Sequence, residues 1–280
     1  PFVAPKAYFD LYDPNDFTVP QSSEAYLNSL PTPAAKSVRS KKEQVDLDPE
    51  LAKKIKHAYY ATTSFMDAQI GRVLDKLKET GLDKNTIVVF TSDHGYHLGE
   101  HGHWQKQTLF EDATRVPLIF SGPGILKNQP AVETPVELVD LYPTLMDMVE
   151  LQTPKFVSGK SLVSYFTNSK ATVRRSALTE LQLNIGNKKA QGYGIQTKRY
   201  RLNQWRYKDV FSYELYDHKF DDAELKNLAD KLEYSAIKDS LLTVLESRIA
   251  EANRVPIGLG KQINGAMPTY EPKRFFSQPK

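Results

Sequence analysis

The sequence predicts an α/β protein with a smaller α+β portion at its C-terminal end. Three observations carry that reading. A long run with apolar residues at steps of three and four, residues 49–80, leads straight into a β-branched apolar run, as when a helix feeds a buried strand. A second apolar run of the same kind follows at Val116–Phe120. After about residue 170 the texture changes to short segments rich in Tyr and Thr, the pattern of an antiparallel meander. With 280 residues, 40% hydrophobic and 11% aromatic, the chain can build a sizeable core, which excludes wholesale disorder.

Residues 1–47 are predicted to be irregular, because Pro1, Pro5, Pro14, Pro20, Pro31 and Pro33 interrupt any long element. Lys36 to Lys42 reads as a solvated basic loop. In the helix over 49–80, Leu51, Ile55, Ala58, Tyr59, Thr62, Phe65, Met66, Ile70, Val73, Leu74 and Leu77 supply the periodicity. Asp48 or Asp46 caps its start and Gly81 stops it. Thr86–Phe90 then reads as a strand covered on both faces, as in parallel sheets. Val116–Phe120 is the second strand and ends at Ser121-Gly122-Pro123-Gly124. Leu138–Leu151 reads as an amphipathic helix with Pro143 in its first turn or at a kink. Ser176–Leu181, Gly192–Thr197, Tyr200–Trp205 and Tyr213–Tyr216 are the strands of the meander. A last helix is expected from about Tyr234 to Ala252, and the tail from Arg254 as coil. The organisation expected is a main α/β body over 1–170 and a small subdomain over 171–280.

Lys and Arg number 37 against 34 Asp and Glu, a net charge of +3 that gives no reason to expect nucleic acid or a membrane surface as partner. No stretch approaches the roughly 18 apolar residues of a membrane span. Cysteine is absent, which excludes disulfides, thiolate metal sites and a thiol nucleophile within the chain.

Chemistry concentrates in one place. Four of the six histidines lie between residues 94 and 103, in Thr91-Ser92-Asp93-His94-Gly95-Tyr96-His97-Leu98-Gly99-Glu100-His101-Gly102-His103-Trp104-Gln105-Lys106. The segment starts where a predicted strand ends, and in open α/β sheets ligands bind at the C-terminal ends of strands. Its three glycines allow sharp turns. Asp93 and His94 offer a carboxylate oxygen and an imidazole nitrogen, both good ligands for divalent cations. Lys106 supplies a mobile point charge suited to a tetrahedral anion. Tyr96, His97, His103 and Trp104 are candidates for lining a substrate pocket, with packing under the loop as the alternative for Trp104.

The run Tyr59-Tyr60-Ala61-Thr62-Thr63-Ser64-Phe65-Met66-Asp67-Ala68-Gln69-Ile70-Gly71-Arg72-Val73-Leu74 resembles the helix that precedes the metal loop of type I sulfatases. Asn85 to Gly95, Leu98-Gly99-Glu100-His101-Gly102 and Arg115-Val116-Pro117-Leu118-Ile119 follow in the same order. So do Val139-Asp140-Leu141-Tyr142-Pro143-Thr144-Leu145, Gly159-Lys160-Ser161-Leu162, Arg199-Tyr200-Arg201 and Glu214-Leu215-Tyr216-Asp217. The order resembles the iduronate-2-sulfatase-like branch most closely. The resemblance implies an alkaline-phosphatase-like fold, a mixed sheet flanked by helices, and hydrolysis of sulfate esters of carbohydrates. It implies a divalent cation, usually Ca2+, with Asp93 and His94 as two of its ligands, and Lys106 as a contact to the sulfate. His101 and His103 are candidates for substrate contact or proton transfer, with a structural role holding the loop as the alternative. Lys106 and His101 make up the expected catalytic set. Family resemblance also implies a secreted or periplasmic location, or a lysosomal one in a eukaryote.

One part of the family pattern is absent from the chain. The family's nucleophile is a formylglycine made within Cys-x-Pro-x-Arg or Ser-x-Pro-x-Arg. There is no Cys here, and Ser29-Leu30-Pro31 is followed by Thr32-Pro33 with no Arg in place. The family's Asp-Asp metal pair comes from a first strand, and Asp221-Asp222 lies too late in the chain to replace it. Pro1-Phe2 resembles the end of the family's Lys-Pro-His-x-Pro-Phe stretch. The expectation is therefore an N-terminally truncated portion of a sulfatase, without a nucleophile, inactive alone and completed by the missing N-terminal half. Two alternatives stand beside it. One is a phosphodiesterase or phosphonate monoester hydrolase of the same superfamily. The other is a non-catalytic sulfatase-like binding module.

Overall fold

The computed structural model describes residues 2–254 apart from Asp46, Asn128 and Gln129. The first segment is helical rather than irregular. It holds α1 (Lys6–Phe9), α2 (Glu24–Ser29) and α3 (Thr32–Val38). Pro33 lies in the first turn of α3, where a missing N–H breaks no hydrogen bond. Ser23 caps α2 by accepting from the Tyr26 N–H at 3.1 Å. The basic run from Lys36 is likewise only partly a loop, because α3 buries Pro33, Ala34, Ser37 and Val38.

Next comes α4 (Pro49–Glu79), close to its predicted bounds. Asp48 caps it by accepting from the Leu51 N–H at 2.9 Å, and Gly81 ends it with a left-handed φ of 72°. The other expected cap, Asp46, lies outside the described residues, as does the tail beyond Arg254. The apolar stripe of α4 is only partly covered, with Ile55, Ala58, Tyr59, Thr62, Phe65, Ile70 and Leu77 half-buried. Leu51, Tyr60, Met66, Val73 and Leu74 are exposed, and its buried residues are Ala52 and Ala61.

The chain continues through β1 (Val88–Thr91), the one-turn helix α5 (Glu111–Thr114) and β2 (Leu118–Ser121). The two strands form their own two-stranded antiparallel sheet, Val88 opposite Ser121 and Thr91 opposite Leu118. This corrects the expectation of a parallel strand covered on both faces: neither strand has a buried residue, and Ile119 is 56% exposed.

A 3-10 turn over Leu138–Asp140 leads into α6 (Leu141–Met148), with Pro143 in its first turn, and α7 (Val163–Thr167) follows. The meander is present and longer than predicted: β3 (Ala177–Ile185), β4 (Lys188–Gln196), β5 (Tyr200–Tyr207) and β6 (Val210–Asp217), antiparallel and in chain order. Lys208 and Asp209, at φ 52° and 61°, make the tight turn from β5 to β6, a left-handed pair whose twist matches the strands it joins. Helix α8 (Ser235–Ala252) closes the described fold.

Both faces of the four-stranded sheet are packed. Leu241 and Leu245 of α8 meet Ile195, Leu202 and Leu215 on one face. On the other, Leu27, Leu30, Ala34 and Val38 from α2 and α3 meet Trp205 and Tyr216, with Leu109 and Phe110 between them. This core draws residues from both sides of position 170. Buried ion pairs reinforce the join. Arg174 clasps Asp140 through two bonds of 2.7 and 2.6 Å, and Glu137 pairs with Arg174 and Arg248.

Candidate active site

The segment 91–106 leaves the C-terminal end of β1 and folds back on itself. His97 N–H donates to Gln105 O at 2.8 Å, and Gly99 N–H to His103 O at 2.9 Å. Gly99, His101 and Gly102, with φ of 109°, 55° and 67°, make the bend. Gly95 is held against α5, its N–H donating to Ala113 O at 2.9 Å.

Asp93, His94 and Lys106 converge. The Lys106 ammonium donates to His94 Nε2 at 2.6 Å, and Asp93 Oδ1 stands 3.5 Å from the same nitrogen. His94 Nδ1–H donates to Gly95 O at 2.8 Å, which fixes the tautomer and leaves the Nε2 lone pair outward. The Asp93 side chain is 85% exposed. A carboxylate, an imidazole lone pair and an ammonium therefore share one open position.

The other histidines of the segment lie inside. His97, His101 and His103 are 0%, 3% and 1% exposed, and Trp104 is 5% exposed. The structure places His97, His101 and His103 inside, away from the open position where Asp93, His94 and Lys106 meet. Their rings pack on one another, with His97 centroids 5.1 Å from His103 and 5.7 Å from His101. His103 Nδ1–H donates to Val38 O at 2.9 Å, and His97 Nε2 bonds Thr108 Oγ1 at 2.8 Å. Burial pulls His97 down to about 2, helped by His103 and His101, and pulls His101 down to about 4. Burial lowers His103 as well. All three are neutral near pH 7. Burial first, with Glu214 and Glu224 beside it, holds the Tyr26 hydroxyl protonated, and it donates to His101 Nδ1. His101 also stacks on Phe110 at 3.8 Å. Those contacts hold a non-glycine residue in the left-handed region, a conformation that costs on the order of 1–3 kcal/mol.

Tyr96 is half-buried and stacks on Tyr59 of α4 at 5.7 Å, with Phe2 edge-on to both. Tyr96 and Trp104 both line one cavity of about 690 Å³ between this loop and α4.

The Sulfatase family profile matches residues 8–151, and the profile of N-sulphoglucosamine sulphohydrolase, C-terminal, matches residues 99–251. The chain belongs to the sulfatase family. A sulfatase of Formosa agariphila is 34% identical over 253 residues, covering 88% of this chain and 47% of the relative. An N-acetylglucosamine-6-O-sulfatase of Bacteroides thetaiotaomicron is 33% identical over 192 residues, covering 67% of this chain and 34% of the relative. Among solved structures, a protein in complex with its substrate D-glucosamine-2-N,6-O-disulfate has a TM-score of 0.64 at 28% identity, covering 83% of this chain and 51% of the other. A phosphonate monoester hydrolase of Silicibacter pomeroyi has a TM-score of 0.77 at 26% identity, covering 91% of this chain and 54% of the other. The sulfatase chain thus spans about half or less of the length of these relatives, and its α/β fold is theirs.

A second ionic group in this sulfatase chain lies beyond any sequence pattern. Glu111, His218 and Glu224 stand close enough together to share a metal ion. A cation already serves them, because Arg201 Nε donates to Glu224 Oε1 at 2.5 Å and its other arm pairs with Glu111. His218 Nε2 meets the same Glu224 oxygen at 2.7 Å. Asp112 is a further such group. Its Oδ2 faces His97 Nδ1 at 3.7 Å and His101 Nε2 at 3.8 Å, and burial with Glu100 nearby raises its carboxyl to about 6. The only signal in the sequence was its nearness to the histidine-rich segment. No helix of the described residues is long and apolar enough to cross a membrane.

Proposed function

We propose that this chain carries the cation-binding and sulfate-contacting side of a sulfatase centre that cleaves sulfate esters of carbohydrates. One observation supports it above the others: Asp93, His94 and Lys106 meet at one exposed position after β1, with Nζ 2.6 Å from Nε2. Asp93 and His94 fit a divalent cation, Ca2+ by resemblance, since a free carboxylate and a tautomer-fixed imidazole are ready donors. They are two ligands where calcium takes six to eight, so the set needs residues from elsewhere. His94 Nε2 cannot serve a metal ion and Lys106 at once. Were a cation held by Asp93 and His94, the Lys106 ammonium would be free to contact a sulfate oxygen, where its charge would stabilise the anion. The cation supplies Lewis-acid polarisation of the sulfuryl group. Tyr96, two residues after His94 and stacked on Tyr59 of α4, suits contact with the carbohydrate, whereas the buried His97, His101 and His103 hold the loop in shape.

A formylglycine, the family's nucleophile, supplies an activated oxygen, and none of the 280 residues can become one within the motif. The remaining ligands, the nucleophile and the covering of α4 and β1 belong to a complementary N-terminal half. An exported setting fits that reading, as it does for the family. The isolated chain is accordingly expected to give no turnover of 4-nitrophenyl sulfate while binding inorganic sulfate in an NMR titration. Lys106→Ala should weaken that binding roughly tenfold, about 1.4 kcal/mol. Turnover by the chain alone would sink the assignment of the nucleophile elsewhere. Sulfate binding untouched by Lys106→Ala would sink the site. The structural likeness to a phosphonate monoester hydrolase favours a second reading, which matched sulfate and phosphonate esters, assayed on the chain joined to its complement, would separate.

A further inference from the structure

Buried charge also gathers around Glu224, which follows β6 and is 1% exposed. Its φ of 53° is left-handed, a conformation that costs a non-glycine residue on the order of 1–3 kcal/mol. Burial by itself raises its carboxyl, but Arg201, His218 and the Glu111 N–H together bring it below the usual range, so it stays ionised. Its two oxygens serve different partners. Oε1 accepts from Arg201 Nε at 2.5 Å and bonds His218 Nε2 at 2.7 Å, whereas Oε2 accepts from the Glu111 N–H at 2.8 Å. Arg201, on β5 and 1% exposed, reaches the same stretch of chain. Its Nη1 donates to Leu109 O at 3.1 Å and its Nη2 pairs with the Glu111 carboxylate. Glu224 and Arg201 thus grip residues 109–111 by main chain and side chain together. That stretch leads to both arms of the open position. On one side Lys106 stands three positions before Leu109, and its carbonyl accepts from the Thr108 N–H at 2.9 Å. On the other, Glu111 starts α5, and Ala113 O of α5 accepts from the Gly95 N–H at 2.9 Å. Gly95 O in turn accepts from His94 Nδ1–H at 2.8 Å.

We infer that Glu224 is a positioning residue for the sulfate site: with Arg201 it clamps residues 109–111, and through them it sets where His94 and Lys106 meet. The inference rests on the reading of that site given above. Glu224 bonds Arg201, His218 and Glu111 and neither His94 nor Lys106, so its influence runs through the bonds just described. The role needs a carboxylate, because one oxygen takes the guanidinium while the other takes a backbone N–H.

The test uses the 280-residue chain with inorganic sulfate as probe. NMR follows the ring nitrogens of His94 and the amide of Gly95. Glu224→Gln keeps the side-chain volume but has one acceptor oxygen for two directions. It is expected to weaken sulfate about three- to fivefold and to move the His94 and Gly95 resonances. Arg174→Ala is the control, since it breaks a buried ion pair whose bonds go to Glu137 and Asp140 instead. It should lower Tm by at least as much, yet keep sulfate affinity within about twofold of wild type and leave both resonances in place. Should Glu224→Gln fail to fold, Glu111→Ala decides. It cuts only the half-buried arm of the clamp, and the same two resonances are expected to move. Unchanged sulfate affinity and resonances in folded Glu224→Gln overturn the inference, as do unchanged resonances in Glu111→Ala or equal changes in Arg174→Ala. Sulfate binding that persists in Lys106→Ala overturns the parent reading instead, and the His94 and Gly95 resonances then still report on the clamp, so the two failures are distinguishable.

Discussion

Gly95 joins the exposed pair Asp93–His94 to the buried histidines, and no other residue fits there. A Cβ at this position would stand 2.0 Å from Asp112 O and 3.0 Å from Arg115 O, both backbone atoms that cannot swing away. Gly95→Ala should therefore destabilise the fold by about 2–4 kcal/mol, as overpacking against fixed atoms does, and a urea melt would measure it. A change below about 0.5 kcal/mol would mean that α5 shifts freely. The buried histidines make stability depend on pH. His97 and His101 stay neutral in the fold but take protons when unfolded below their ordinary 6.5, so stability falls as the pH drops toward about 4 for His101 and about 2 for His97. Asp112 has the opposite sign. Its folded carboxyl, raised to about 6 from 3.8, gains a proton first and adds stability between those values. Burial raises the Glu214 carboxyl as well, but three depressed imidazoles outweigh the two raised carboxyls, so Tm should fall from pH 7 to pH 4.5. A flat profile would contradict the burial of the cluster. At this scale the sequence was informative about clustering but silent on direction. Ten residues held four histidines, yet only the fold shows that His94 faces out and His97, His101 and His103 face in. Nothing in residue type separates them, because the bend at His101 decides which side each ring takes.

The elements were legible where local periodicity determines them. Helix α4, the four strands of the meander and helix α8 all follow from spacing and from turn residues. What periodicity cannot report is the partner of an apolar face. The stripe of α4 predicts burial, yet Leu51, Met66, Val73 and Leu74 are exposed and the rest of it is only half-buried, and β1 pairs antiparallel with β2 rather than lying in a parallel sheet. The short helices α2 and α3 were missed for a related reason. Prolines read as breakers act as helix starts when they fall in the first turn. A different link between elements, the Arg174–Asp140 pair, joins the turn before α6 to the segment that leads into β3, with side chains 2% and 0% exposed. Arg174→Ala leaves a buried carboxylate uncompensated and should cost about 3–5 kcal/mol in a denaturant melt. Arg174→Met with Asp140→Leu removes both charges and should recover much of that loss. Equal losses in the single and double variants would show that packing, and not the ion pair, makes the join.

Among the described residues, large apolar side chains are exposed all along the chain, from Val3 and Leu11 to Phe220 and Leu232. Met66, Val73 and Leu74 on α4, Ile119 on β2, and Val139, Tyr142, Val149 and Leu151 around α6 are all open to solvent. The two-stranded sheet β1–β2 also has unpaired edges. Such surfaces associate. The purified chain is expected to bind a hydrophobic dye and to sediment as a concentration-dependent mixture of species. A single monomeric boundary across a hundredfold concentration range would oppose this. The four-stranded sheet has the reverse character, since α8 covers one face and the N-terminal helices α2 and α3 cover the other.

That arrangement has a temporal consequence for a chain made from its N-terminus. Val38 is synthesised long before Trp205 and Tyr216, the residues it packs with. At roughly 5–20 residues per second, the 178 positions from 38 to 216 take on the order of 10–35 s to translate. During that interval Leu27, Leu30 and Val38 have no sheet to cover, so a segment made well before the sheet must wait for it to find its place.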